Sequence, residues 1–168
     1  MSVGSILIGL QASRGDGRGV TAAEFIAPLN IRSDEVYATL ADGGEWVSGM
    51  VYFAVVRYND YDHVDKTADA GAQTEAFFRG VMEAFLATSE FFDRRSPEVI
   101  AVMRATGLSL RLFVEVRMDQ DQMELEFPPE LLAACGRHSL QLYIMSNDIS
   151  AHEALTARTE HDTASLEL

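Results

Sequence analysis

The chain has 168 residues, of which 48% are hydrophobic and 23% charged, and its formal net charge is −13. The length suits one domain, and the composition is that of a folded globular protein, which excludes a fibrous repeat or wholesale disorder. Because the net negative charge repels phosphate backbones and anionic lipid, we expect no nucleic acid partner and no membrane partner. The same charge favours a basic protein partner.

No apolar run approaches the roughly 20 residues that a membrane span needs. The apolar run of residues 3–10 has no preceding lysine or arginine, so it lacks the layout of a signal peptide. We therefore predict a cytoplasmic protein. The single cysteine, Cys135, cannot form an internal disulfide, and its position in the run LLAAC favours a buried structural thiol.

The first predicted elements are a strand at residues 6–10, apolar on both faces, and a short helix that begins at Ala22. Thr21 and Glu24 have the spacing of a capping box, and Val20 and Phe25 that of a hydrophobic staple. Pro28 predicts that this helix ends at residues 28–30.

A predicted hairpin follows the first helix. Residues 35–40 and 46–58 have strand-like composition and are joined by an Asp-Gly-Gly turn at residues 42–44. Residues 59–71 are polar and acidic without a helical period, so we expect a surface loop there. The 46–58 strand could also pair with a second copy of itself, which leaves a homodimer as an open alternative.

The strongest helical signal comes next, as an apolar stripe with spacings of three and four residues. We expect this stripe to be buried; it consists of Phe77, Phe78, Val81, Met82, Phe85 and Leu86. A second helix is predicted to start at the Ser96 cap with Pro97 in the first turn, and to end at Gly107.

From residue 108 the apolar period changes to two, which predicts a strand at 108–117 that is half open to water. The predicted outer face consists of Ser109, Arg111, Phe113, Glu115 and Arg117. An acidic connection at 119–124, a short helix at 129–135 closed by Gly136, and a last strand at 140–144 complete the predicted elements.

These elements predict an α+β fold, with a mixed or antiparallel sheet of about five strands layered by two longer and two short helices. A strand, loop, short helix and strand occur at residues 6–40 and again at 110–144, which indicates a pseudo-duplicated, ferredoxin-like arrangement. We predict one domain at residues 1–148, and a C-terminal tail at 149–168 that forms a short helix or is disordered.

The second half of the chain carries a family resemblance. Its features are a helix that ends in Thr106 and Gly107, the strand LSLRLFVEVRM, an acidic turn, and the segment ELEFPPELLAACGRHSLQLYI. With these features, residues 91–147 resemble a bacterial family known as domain of unknown function 4279. The resemblance implies an α+β fold and a small bacterial cytoplasmic protein, and it implies no reaction.

The glycine-rich stretch LQASRGDGRGVTAAEF is the first candidate site, because a helix N-terminus with nearby arginines can bind an anion. It does not match the dinucleotide fingerprint, since Val20 stands where the third glycine is needed, and it lacks the Gly-Lys-Ser/Thr of the phosphate loop. A flexible turn is the other interpretation. The candidate anion-binding residues are Arg14, Gly15, Gly17, Arg18, Gly19 and Thr21.

Two acidic segments are the second candidate, as a contact surface for a basic protein. The candidate partner-binding residues are Asp60, Asp62, Asp65, Asp69, Asp119, Asp121 and Glu124. The first segment also contains His63 and could hold a cation, but it lacks the glycine and terminal glutamate of a calcium loop. We therefore predict no metal and no other cofactor.

The four histidines are scattered, and Cys135 and His138 have poor spacing for a thiolate and its base, so we predict no catalytic residue. An enzyme whose site assembles from distant residues remains open. The leading functional hypothesis is a non-enzymatic acidic interaction domain, and a toxin-neutralising immunity protein would fit it. The alternative is a small-molecule or anion-binding domain that uses the loop from Gly15 to Thr21.

Overall fold

The structure is a computed structural model, and it describes residues 5–32, 36, 38–39, 45–46, 49–52, 69–118 and 124–148. Its helices are α1 (Ala22–Leu29), α2 (Ala70–Asp93), α3 (Pro97–Ala105) and α4 (Pro129–Arg137). Its strands are β1 (Ser5–Arg14), β2 (Val20–Thr21), β3 (Ala38–Thr39), β4 (Glu45–Trp46), β5 (Gly49–Tyr52), β6 (Leu108–Met118) and β7 (Gln141–Asp148).

The main sheet is mixed and has the strand order β3-β5-β1-β6-β7. Strand β1 pairs antiparallel with β6 over ten positions, from Ser5↔Arg117 to Arg14↔Leu108, and antiparallel with β5 on its other side. Strand β7 runs parallel to β6. Two adjacent parallel strands need a crossover connection, and the segment that contains α4 provides it.

The predicted α+β class with a mixed sheet is confirmed. The main sheet has five strands, and β2 and β4 form a second, two-stranded sheet. The ferredoxin-like pseudo-duplication is not confirmed. Strands β6 and β7 are adjacent, whereas the corresponding strands of the first half, β1 and β3, are separated by β5.

Local sequence signals begin and end the helices. The Thr21 side chain accepts from the Glu24 amide and the Glu24 carboxylate accepts from the Thr21 amide, so the predicted capping box of α1 is confirmed. Helix α1 ends as predicted, with Pro28 in its last turn and Asn30 in the left-handed conformation at φ 47°. Ser96 caps α3 as predicted, since its side chain accepts from the Glu98 amide.

The hydrophobic core lies between the helices and one face of the sheet. The register pairs Ile8 with Val114 and Leu10 with Leu112, so alternate residues of β1 and β6 share this face, and all four are fully buried. Helix α2 packs against the sheet and against α4, where the rings of Phe85 and Phe127 lie 5.1 Å apart. The four helices, β1 and β6 thus share one core.

The predicted stripe of α2 needs one correction. Phe77, Val81 and Phe85 are buried, but the Leu86 side chain lies on the outer face and is 38% exposed. The helix is longer than the stripe: it continues to Asp93 and buries a second aromatic pair at Phe91 and Phe92. At 3.6 residues per turn, Leu86 lies two and a half turns after Phe77 and therefore on the opposite face, whereas Phe91 and Phe92 return to the buried face.

The predicted half-open face of β6 is wrong at Phe113 and Glu115, which are each only 7% exposed. Strand β6 is the fourth of the five strands in the sheet order, with a neighbour on both sides. Tyr143 of β7 stacks on the Phe113 ring at 5.7 Å, and the Arg111 guanidinium lies 4.1 Å from the same Tyr143 ring. These large side chains cover that face at Phe113.

Several helices and strands begin or end at residues other than those predicted. Strand β1 continues to Arg14, four residues beyond the predicted end, because β6 pairs with it that far. Gly136 lies inside α4, and Ser139, at φ 51°, makes the turn after that helix. Gly71, predicted as loop, lies in the first turn of α2.

Two predictions can be compared with the structure only in part, because many of their residues are not described. Residues 38–39 and 51–52 do pair antiparallel, as the hairpin requires, but Trp46 pairs with Val20 in the second sheet. The remainder of the predicted 46–58 strand, most of the 59–71 loop and the tail at 149–168 lie outside the described residues.

Candidate functional site

The predicted anion-binding loop joins β1 to the capped start of α1. Arg14 is the last residue of β1, and a turn at Gly15 and Asp16 follows it. Gly17 has φ 75° and its amide donates to the Arg14 carbonyl at 3.4 Å. The left-handed conformation explains the glycine there, because other L-residues rarely adopt it.

Carboxylates of the chain face both arginines of this loop. A guanidinium nitrogen of Arg14, whose side chain is only 10% exposed, pairs with the Glu24 carboxylate, and a second one donates to the Thr106 carbonyl at 3.2 Å. Arg18 Nε pairs with Asp16 Oδ2 at 2.6 Å. The two cations proposed as anion ligands therefore already bind anionic side chains.

Glu24 takes the place of an external anion at the start of α1. Its Oε2 accepts from the Thr21 amide at 3.0 Å and from the Thr21 hydroxyl at 2.9 Å. The pKa of the Glu24 carboxyl is lowered, most by the hydrogen bond from the Thr21 amide, and further by the bond from the Thr21 side chain and by the nearby Arg14. The amide and side-chain bonds from Arg18 likewise lower the pKa of Asp16. Both carboxylates are thus stabilised in the charged form.

The predicted residues do surround a cavity of about 340 Å³, lined by Arg14, Arg18, Gly19, Thr21 and Glu24. The structure brings these five together and leaves Gly15 and Gly17 on the exposed turn. Because the Glu24 carboxylate lines the same cavity, a bound anion would have to approach a negative charge. These contacts disfavour the anion site, which stays a prediction.

The predicted partner-binding residues divide into two groups. Asp60, Asp62, Asp65, Asp119 and Asp121 lie outside the described residues. Asp69 is the N-cap of α2, where its carboxylate accepts from the Ala72 amide at 2.9 Å, and Glu124 is exposed ahead of α4. Asp69 therefore has a structural role that the sequence analysis did not assign, although an acidic residue before a helical run is a typical capping signal.

Ion pairs balance much of the charge on the helices. Arg79 pairs with Glu75, Arg94 with Glu90, and Arg137 with Asp93. All six of these side chains are about half exposed or more, so each pair contributes little to stability. The described residues are closer to neutral than the rest of the chain, because their arginines offset most of their carboxylates.

The acidic excess is concentrated elsewhere along the chain, in residues 33–44, 53–68, 119–123 and 149–168. The basic residues of these ranges are Arg57, Lys66 and Arg158. The acidic residues are Asp34, Glu35, Asp42, Asp60, Asp62, Asp65, Asp119, Asp121, Glu153, Glu160, Asp162 and Glu167. Most of the net charge of −13 therefore belongs to segments that connect or follow the described elements.

The described thiol and imidazole are buried in the core. Burial raises the pKa of Cys135 to about 11, which leaves almost no thiolate at neutral pH and confirms the predicted structural thiol. His138 is 3% exposed, and its Nε2 lies 3.0 Å from the Phe92 carbonyl oxygen, to which it donates. Among the described residues, no three His, Cys, Asp or Glu side chains are grouped as metal ligands.

A second cavity, of about 240 Å³, lies between the end of α1 and the start of α3 and was not predicted from the sequence. Arg32, Arg94 and Arg95 all line it. The Arg-Arg pair before the Ser96 cap was a signal in the sequence. Nothing in the sequence placed Arg32, more than 60 positions earlier, beside that pair.

The chain matches none of the known protein-family models, curated proteins or solved structures with which it was compared. Within the described part of the chain, no helix has both the length and the apolar character needed to cross a bilayer.

Proposed function

We propose that this protein is a non-enzymatic, acidic protein-interaction domain that binds a basic protein, as a toxin-neutralising immunity protein does. The observation that supports the proposal most is the distribution of charge. Surface ion pairs balance the framework, while the carboxylates of residues 33–44, 53–68, 119–123 and 149–168 greatly outnumber their basic residues. The framework thus carries acidic segments with few cations of their own.

Such an arrangement suits a cationic partner for a physical reason. Complementary surface charge speeds the encounter of two proteins and disfavours partners of the same sign, and it needs no catalytic centre. The predicted contact residues Asp60, Asp62 and Asp65 lie in one of these segments, and Asp119 and Asp121 in another. We place the contact surface on those two segments together with Glu124.

The described chemistry adds support for a non-enzymatic role. The Cys135 thiol is buried with a pKa raised to about 11, so it is a poor nucleophile. The His138 imidazole is buried with its Nε2 bound to a backbone carbonyl, so it has no access to a substrate in solution. Both side chains act as core residues.

Three finer predictions remain proposals. Anion binding at the loop from Gly15 to Thr21 is the alternative function, although Glu24 and Asp16 already bind the arginines there. Membership of residues 91–147 in the domain of unknown function 4279 family would add no reaction. A ferredoxin-like duplication is a proposal about the fold and carries no functional argument.

Affinity capture tests the proposed function. The tagged full-length chain is captured from its native cells at low salt, with a matched capture at high salt, and the retained proteins are identified by mass spectrometry. We expect a stoichiometric basic protein that is lost at high salt, because exposed charges are screened there. Recovery of the chain alone at both salt concentrations would contradict the proposal.

A further inference from the structure

A buried imidazole fixes the end of α4 against α2. His138, the C-cap of α4, is 3% exposed, and its ring lies 5.2 Å from the Phe92 ring. Its Nε2 donates to the Phe92 carbonyl oxygen at 3.0 Å, because a carbonyl can only accept. Its Nδ1 is also buried, and it has no hydrogen-bond partner among the described residues. The neutral ring therefore fits this place, whereas a proton on Nδ1 would have no acceptor.

The charged groups around the ring do not compensate a second proton. Arg137 precedes His138 on α4, Arg104 lies in the last turn of α3, and Arg95 lies between α2 and α3. Asp93, at the end of α2, is paired with Arg137. Burial is the largest cause that lowers the pKa of His138, and the three arginine charges add to it.

The turn after α4 is a Schellman motif that stores strain. The Leu140 amide donates to the Cys135 carbonyl at 2.8 Å, and the Ser139 amide donates to the Gly136 carbonyl at 3.1 Å. Ser139 has φ 51°, a left-handed conformation that glycine usually supplies at this position of the motif. The serine Cβ crowds the backbone there. This turn therefore opens more easily than the same turn with glycine.

Two further contacts of this helix end are both exposed. The side chains of the pair Arg137 and Asp93 are 49% and 54% exposed, so the pair contributes little to stability. A terminal nitrogen of Arg104 donates to the Ser139 carbonyl, also at the surface. The inner face of α4 is therefore what holds the helix end in place, and it consists of Leu131, Ala134, Cys135 and His138.

We infer that the end of α4, residues 135–140, is an acid-sensitive switch: when His138 takes up a proton, this segment moves outward, the ring reaches water and Cys135 becomes accessible. Water hydrates a charged imidazole and the core does not, so protonation favours the open form. The opening is local, with the pairing of β1 and β6 kept. This switch goes beyond the proposed function and does not depend on it.

Thiol exchange at Cys135 measures the opening in the native, full-length chain. Cys135 is the only cysteine, and it is 6% exposed in the closed form. The reagent is a dipyridyl disulfide, which reacts with thiols in mild acid. The native rate divided by the rate of the urea-unfolded chain at the same pH gives the opening constant.

The expected pH dependence follows from one proton. The opening constant should rise at least about fivefold between about pH 7.5 and about pH 5.5. The ordinary pKa of 6.5 for His138 in the open form limits this rise to about tenfold. Low concentrations of urea separate the local opening from global unfolding. A local opening exposes little surface, so its constant should be nearly independent of urea below the global transition.

Three variants provide the comparison. His138→Gln keeps a donor for the Phe92 carbonyl but takes up no proton, so its opening constant should change less than about twofold over the same pH range. Ser139→Gly keeps the imidazole and relieves the strain, so it should lower the opening constant at least about threefold at both pH values. Asn30→Gly is the matched control, because Asn30 has φ 47° at the end of α1. It should change the constant less than about twofold.

Three results would overturn the switch. One is the same pH dependence of the opening constant in the wild type and in His138→Gln. Another is a urea dependence at about pH 5.5 as steep as that of the global transition, which would show that Cys135 reacts only in the unfolded chain. The third is an equal effect of Ser139→Gly and Asn30→Gly.

Discussion

Lowering the pH from about 8 to about 5.5 should destabilise the protein through His138. This side chain is 3% exposed, and its ring packs 5.2 Å from the Phe92 ring. The Nε2 hydrogen is donated to the Phe92 carbonyl, so Nδ1 is the unprotonated nitrogen; it is buried with no hydrogen-bond partner among the described residues. A proton added at Nδ1 would therefore be buried without an acceptor.

The pKa of His138 lies below its ordinary value of 6.5 for this reason. Desolvation is the largest cause, and the positive charges of Arg137, Arg104 and Arg95 add to it. The Phe92 carbonyl acts in the opposite direction, because it accepts a hydrogen bond from the ring. Within the described part of the chain, the charged side chains that shift this pKa are thus three arginines, and Asp93 is paired with one of them, Arg137.

The sign of the pH dependence follows from the lowered pKa. Between the folded pKa and 6.5 the unfolded chain binds a proton that the folded chain does not, so the free energy of unfolding falls as the pH falls. One proton corresponds to a slope of at most about 1.4 kcal/mol per pH unit. The slope should be near zero above pH 7, where His138 is neutral in both states.

Urea denaturation of the wild type and of His138→Gln across this pH range measures the effect. The variant should lose about 1 to 2 kcal/mol at pH 8 through its poorer bond to the Phe92 carbonyl, but it should lack the His138 slope. The other histidines are common to both chains and cancel in the difference. Asp16 and Glu24 have lowered pKa values and titrate at more acid pH. Parallel pH profiles for the two chains would refute this reasoning.

Two further predictions concern the core. Phe85→Ala should lower the free energy of unfolding by about 3 to 5 kcal/mol, because the fully buried Phe85 ring packs on Phe127. Leu86→Ala should lower it by less than about 1 kcal/mol, because the Leu86 side chain is 38% exposed. Equal shifts of the urea midpoint would contradict the placement of α2. Burial raises the pKa of Cys135 to about 11, so the thiol should react with iodoacetamide at pH 8 at least about a hundredfold more slowly in the native chain than in the urea-unfolded chain. Comparable rates in the two states would show that the thiol is accessible.

Features set by neighbouring residues could be predicted from the sequence. The capping box at Thr21 and Glu24, the Ser96 cap and the helix end at Asn30 all depend on contacts within a few positions. The same is true of the apolar stripe at residues 77–85. These signals were sufficient to predict the α+β class.

Features set by distant pairing could not be predicted. Arg14 looked like part of a loop, and only the pairing of β1 with β6 makes it the end of a strand beside Glu24. The buried Glu115 reflects the interior place of β6 in the sheet, which its own period of two does not reveal. Arg32 and Arg95 meet because α1 ends next to the start of α3.

Charge reversal tests the proposed contact surface. Asp69 is left unchanged because it caps α2, and its loss would cost about 1 kcal/mol of stability. The test variant reverses Asp60, Asp62 and Asp65 to lysine. A control variant with the same change in net charge reverses three residues of the outer face of α2: Glu75, Glu83 and Glu90.

The most direct test of the proposed function is the rate constant at which each variant associates with the captured basic partner. It is measured over a range of salt concentrations. We predict that the Asp60, Asp62 and Asp65 variant associates at least about tenfold more slowly than the wild type at low salt, that the control changes less than about threefold, and that salt removes the difference. Equal rates for the two variants, or no dependence of the rate on salt, would contradict an acidic contact surface at these residues.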